Sequence, residues 1–194
     1  NDNGDFLDND ADASADGGLS DVDNTVRVTI TEPVLQVSKS VTDGSGGSLE
    51  AGDTVEYLIE VEHLAASTSA AFDVVLSDVL PTGLVGSLSI VRAEIVDGTN
   101  TTDVSSGGSN LITISGGRIT TASGGFDLRR GTGATASDHE KLEVVVRGVV
   151  LDAANPGDVI SNSASVSWTS LDGPDTDERT GSGAGENDDT DTDA

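Results

Sequence analysis

The chain has 194 residues, with 35 acidic against 9 basic side chains and a formal net charge of −26. That charge disfavours nucleic acid, whose phosphates need Lys and Arg, and anionic membrane surfaces; no stretch is long and apolar enough for membrane insertion. There is no cysteine, which rules out a disulfide framework but leaves an extracellular location open, since a larger core or another cross-link can substitute.

Residues 1–24 are Asp-rich and nearly free of large apolar side chains. They read as an acidic N-terminal segment. Asp8, Asp10 and Asp12 alternate, and Asp16 follows four further on. Oxygen ligands at alternate positions suit Ca²⁺, which takes six to eight of them. The EF-hand spacing is not met, because Ala13 stands where Gly is wanted and Leu19 where Glu is wanted. A solvated acidic linker is the other reading. Asn1 in place of an initiator Met marks the chain as processed or as a piece of something longer.

Residues 25–33 read as a candidate donor strand and linker. Val26, Val28 and Ile30 share one face of Thr25–Thr31, and Glu32-Pro33 follows. The period of two then predicts strands at Leu35–Val41, Thr54–Glu62, Ala71–Val79, Ser87–Val96, Leu111–Ser115, Arg118–Thr121, Lys141–Leu151 and Val159–Thr169. Turn-forming runs such as "DGSGGS", "PTGLVG" and "NPGD" separate them. No helical pattern stands out. The expectation is an all-β fold: an immunoglobulin-like antiparallel β-sandwich over 34–172, with an N-terminal extension strand and acidic tails. Residues 173–194 form the second tail, where Asp188, Asp189, Asp191 and Asp193 repeat the carboxylate run. If one chain's C-terminus lies near the next chain's N-terminus, the two runs can share Ca²⁺.

Three strands carry a polar residue on an apolar face. Lys39 falls in line with Leu35, Val37 and Val41. Asp78 falls in line with Val74, Leu76 and Leu80, and Asn162 with Ile160, Ala164, Val166 and Trp168. A buried ion without a partner costs several kcal/mol, roughly. Three such violations are most simply explained if the three side chains meet. Taken singly, each also fits an edge strand or a bulge that turns the side chain outward.

The stretch "VSKSVTDGSGGSLEAGDTVEYLIEVEHLAASTSAAFDVVLSDVLPTGL", followed by "VISNSASVSW", resembles a repeat domain of bacterial and archaeal surface proteins, a domain of unknown function numbered eleven. It is also similar to isopeptide-forming domains of fimbrial proteins. The strand Lys, "AGDTVEY", "SDVLPTGL" and "ISNSASV" carry the resemblance, which covers roughly residues 33–172. His63 departs from it, standing where the family usually has Asn, and this puts a local turn in doubt. The resemblance implies a cross-link in which Lys39 attacks the Asn162 amide with Asp78 assisting. The alternative is a trio that only hydrogen-bonds. It also implies that the usual last strand sits here at the front of the chain, leaving an apolar groove for a neighbour's strand. Exchange between joined repeats, or folding of Thr25–Thr31 back onto its own domain, remain alternatives.

No nucleophile elbow, phosphate loop or zinc spacing occurs, so the chain does not read as an enzyme. His139 in "DHE" reads as part of a solvated strand entrance, and Asn100 fits an N-x-Thr acceptor. The sequence points to a structural subunit of an extracellular filament or surface fibre, with neighbouring copies of itself as partners in a homopolymer. The other reading is a tandem-repeat module of a large cell-surface adhesin that binds sugar or protein ligands. Few aromatics lie outside the strands for such a role; only Phe6 and Phe126 are loop candidates.

Overall fold

The computed structural model describes residues 31–131, 139–155, 157–174, 179–181 and the backbone of 191–193. The chain divides into Asn1–Ile30 and Thr31–Ala194, and the sandwich lies within the second unit. Its strands are β1 (Leu35–Asp43), β2 (Thr54–His63), β3 (Ala71–Val79), β4 (Val85–Asp97), β5 (Asn100–Asp103) and β6 (Ile112–Ser115). After them come β7 (Arg118–Thr121), β8 (Phe126–Leu128), β9 (Lys141–Val150), β10 (Ala164–Thr169), β11 (Thr180–Gly181) and β12 (Asp191–Asp193). One sheet has the order β1-β2-β9-β4-β5. The other runs β11-β10-β3-β7-β6, with β12 also on β10 and β8 also on β3. All pairings are antiparallel. The fold is an immunoglobulin-like β-sandwich.

Alternation explains the central pair. In β2, Val55, Tyr57, Ile59, Val61 and His63 turn inward while Glu56, Glu60 and Glu62 face out. In β9, Leu142, Val144, Val146 and Val150 turn inward. Glu56 lies opposite Arg147 in the ladder, and their side chains meet at 2.6 Å. Such exposed pairs contribute about 0–1 kcal/mol, so their effect is chiefly on register. A one-residue slip would put every inward side chain into solvent. Gly125 (φ 67°) lets β8 approach β3, since a Cβ there would fall 2.5 Å from the Asp73 backbone.

The N-terminal linker was expected to end at Pro33, yet the sandwich already holds it. Thr68 N donates to Glu32 O at 2.8 Å, and Trp168 Nε1 donates to Pro33 O at 3.3 Å. At the other end, 173–194 supplies more than a tail. Thr180–Gly181 and the backbone of Asp191–Asp193 pair along the outer edge of β10.

The two sheets do not end together. Asp78 lies opposite Ala164, the first residue of β10, in the second sheet. The β1–β2 ladder continues past Lys39 to Asp43 opposite Val55. The strand expected from Val159 starts only at Ala164, because residues 159–163 leave the sheet. The inner face of the first sheet therefore overhangs the second. Val41, read as a core residue, is 57% exposed for this reason.

Candidate functional site

The overhang begins at the polar trio. Lys39 projects from the inner face of β1, where its cross-strand partner is Ile59. Asp78 projects from β3 in the opposite sheet, one residue before the strand ends. Asn162 lies two residues before β10. The structure brings the three together. Lys39 Nζ is 2.5 Å from Asp78 Oδ2, with side chains 4% and 0% exposed. Asn162 Nδ2 donates to the same oxygen at 3.5 Å. Asp78 thus stands between an amine from the opposite sheet and an amide from the segment leading into β10.

A fourth member was not singled out in the sequence. Tyr57 lies across from Val41 in the β1–β2 ladder, and Lys39 Nζ is 5.2 Å from its ring centroid. A cation at this distance from an aromatic face is attracted by the ring quadrupole. Burial, and then the nearby Asp78 charge, push the Tyr57 phenol above its ordinary range. The phenol therefore stays neutral. The signal for it was the shared inward parity of Tyr57 and Val55 on a strand paired with that of Lys39.

The trio is poorly arranged for stability alone. Asp78 Oδ1 and Asn162 Oδ1 are buried with no hydrogen-bond partner among the described residues. Leaving a buried acceptor unsatisfied costs about 1–3 kcal/mol. Chemically, the site holds an amine, a carboxyl and a carboxamide out of bulk water. Those are the groups that amide exchange requires.

The other sequence-predicted residues lie apart from it. Val26, Val28 and Ile30 are outside the described residues, as are Asp8, Asp10, Asp12, Asp16, Asp188 and Asp189. Asp191 and Asp193 are described in backbone only, as ends of β12. Among the described residues, no three His, Asp or Glu side chains group in a way that could hold a metal ion. No helix among them is long and apolar enough to cross a membrane.

The histidines differ from expectation. His139 and Glu140 are 8% and 7% exposed, not part of a solvated strand entrance. Arg129 causes this: its backbone N and its Nε each donate to Glu140 at 2.7 Å, drawing the carboxylate inward. His139 then packs edge-on against His63, centroids 5.5 Å apart. His63 Nε2 lies 3.1 Å from Leu128 O, and a carbonyl only accepts, so that nitrogen carries the proton. Its Nδ1 accepts from the Ser67 hydroxyl at 2.8 Å. Ser67 Oγ in turn accepts from Val34 N at 3.1 Å. The turn put in doubt by His63 is therefore stitched together by it. Burial lowers the His63 pKa to about 4. Phe126, a loop candidate for ligand stacking, belongs to β8 and packs in the core.

No protein-family model and no curated protein matches the chain, so the repeat-family resemblance rests on its four quoted motifs. Solved structures do match. The chain is similar to the Corynebacterium diphtheriae major pilin SpaA, at 17% identity and a TM-score of 0.41, over 71% of this chain and 32% of that one. It is similar to the Actinomyces fimbrial adhesin FimA, at 16% identity and a TM-score of 0.49, over 82% of this chain and 55% of that one. It is also similar to ACE19, the collagen-binding subdomain of the Enterococcus faecalis surface protein ACE. There the identity is 12% and the TM-score 0.40, over 86% of this chain and 97% of that one. The chain spans about a third of the pilin's length and about half of the fimbrial adhesin's.

Proposed function

We propose that the chain is a structural subunit of an extracellular filament or surface fibre. Copies join head to tail when the strand around Val28 of one completes the sandwich of the next. Each sandwich is locked internally by an amide bond between Lys39 and Asn162. The observation that supports this reading is the buried Lys39–Asp78–Asn162 cluster, which links opposite sheets and leaves the second oxygen of Asp78 and the amide oxygen of Asn162 without a hydrogen-bond partner among the described residues.

Burial disfavours separated charges, so the Lys39 proton can pass to Asp78, leaving a neutral amine and a neutral acid. The amine is then a nucleophile. Protonated Asp78 can donate to the Asn162 carbonyl oxygen, which has no other donor among the described residues. Lys39 Nζ attacks Asn162 Cγ, a C–N bond forms, and the Asn162 nitrogen leaves with the transferred protons as ammonia. No oxidant or cofactor is consumed. A bond of this kind would carry load between sheets in a protein without cysteines.

Strand addition supplies main-chain hydrogen bonds and apolar anchors together. A head-to-tail joint does not close on itself, so it builds open fibres. Calcium on the two Asp runs would screen the repulsion between highly acidic neighbours. Electron microscopy of the purified full chain tests the reading: filaments are expected, and Val28→Asp should abolish them by placing a charge at an apolar joint. Wild-type protein that stays monomeric under all ionic conditions would contradict it.

A further inference from the structure

The staggered end of the sandwich forms a groove of about 590 Å³. Val41, Leu49, Val55, Tyr57, Val150 and Ile160 give it apolar walls. Val41 and Leu49 are well exposed. β1 is the outer strand of its sheet among the described residues, and Ser40, Val41 and Thr42 are exposed along it. The described part of the second sheet stops one rung past Asp78, so none of its described strands covers this floor. We infer that the groove receives residues 25–31 of a second copy of this chain, laid beside the exposed end of β1 with Val26, Val28 and Ile30 against the floor. This rests on the filament reading above and gives its joint a location.

Charge selects the occupant. The groove rim carries Glu50 and Asp158. Residues 1–24 are crowded with Asp and are repelled from such a rim, whereas "TVRVTIT" at 25–31 has no carboxylate and holds Arg27, the sole basic residue of the first 31. Alternation gives this segment one apolar face, as a groove-filling strand needs.

Chain length excludes the segment's own groove. Glu32 is fixed at the far end of β1, exchanging bonds with Thr68: N to Oγ1 at 2.8 Å and O from N at 2.8 Å. Val28 precedes Glu32 by four residues, so it lies within about 14 Å of it. Val41 lies six residues along β1 from Leu35, about 20 Å away, and Glu32 is on the other side of Leu35. Val28 cannot span that distance. The donor has to be another molecule, and the joint is head to tail.

The absence of cysteine makes the test direct. Val28→Cys and Leu49→Cys are made separately in the full chain, mixed, and oxidised mildly. The inference predicts a disulfide-linked dimer whose digest contains residue 28 joined to residue 49, and no such product when Val75→Cys, on the opposite sheet, replaces Leu49→Cys. Val41→Asp with Leu49→Asp should raise the concentration needed for assembly at least about tenfold, as burying unpaired carboxylates requires. Filaments in the wild type but no 28–49 link would overturn the groove while leaving the filament reading standing. Neither filaments nor link would overturn both. With Val28→Cys and Leu49→Cys placed in one chain, a 28–49 link within a single molecule would overturn the second-copy assignment.

Discussion

Lys39 Nζ and Asp78 Oδ2 meet at 2.5 Å across the two sheets, with both side chains buried. The pair sits near the end of the second sheet, which stops one rung past Asp78, while β1, β2 and β9 of the first sheet run on. A buried ion pair seldom adds net stability, because desolvation offsets the attraction. This pair lies beside the Asn162 amide, whose oxygen has no partner among the described residues, and on the proposed reading its role is chemical.

Lys39→Met should be strongly destabilising, because it strands the Asp78 carboxylate in the core. Lys39→Met with Asp78→Leu should recover about 3 kcal/mol of that loss, the usual scale for removing an orphaned buried charge. Neither variant can form the cross-link, so the difference in their denaturation midpoints reads the lone carboxylate alone. Equal midpoints would mean that Asp78 is readily hydrated without its lysine.

His63 predicts a pH dependence. Its folded pKa, about 4, lies below the ordinary 6.5 because burial disfavours the charged ring. His139, Arg130 and Glu140 also face it, with smaller effects of mixed sign. The unfolded chain therefore binds this proton more tightly than the folded one. The contribution is fully present above about pH 6.5 and is lost as pH falls towards 4, on the order of 3 kcal/mol in all. Carboxylates titrate in part of the same window, so the readout is a difference: wild type against His63→Asn, followed by thermal melting from pH 7 to 4. The wild type should lose more. Parallel curves would show that His63 is charged in the fold without penalty.

Much of this was legible in the residues. Ala71–Val79 and Arg118–Thr121 begin and end where alternation placed them. Lys39, Asp78 and Asn162 were found by parity alone, since each interrupts an apolar face. What parity misses is where a face stops being covered. Val41 has the same parity as Val37, but the opposite sheet has ended by then. Asn100–Asp103 has no apolar residue to reveal a strand, and pairs only because the turn after β4 returns it. His139 was misread because its burial depends on Arg129, eleven residues before Glu140, capturing that carboxylate.

Calcium gives another expectation. If the Asp runs at 8–16 and 188–193 chelate Ca²⁺, its removal should lower the melting temperature and loosen the fibres, since a ligand of the folded state stabilises it by mass action. Magnesium should substitute poorly, because it demands a smaller octahedral site. The check is thermal melting and microscopy with chelator, then with each ion restored. Unchanged melting and fibres would leave the runs as solvated acidic segments.

The central claim is the covalent lock, and intact mass spectrometry of the denatured chain tests it most directly. A bond from Lys39 to Asn162 closes a loop of more than a hundred residues. By analogy with a disulfide, it would stabilise the fold by about 4–5 kcal/mol, less any strain. The account predicts a wild-type chain lighter than its sequence by one ammonia, with the loss mapped to a joined peptide holding both residues, and full mass in Asp78→Ala. A wild-type chain at full sequence mass would contradict it.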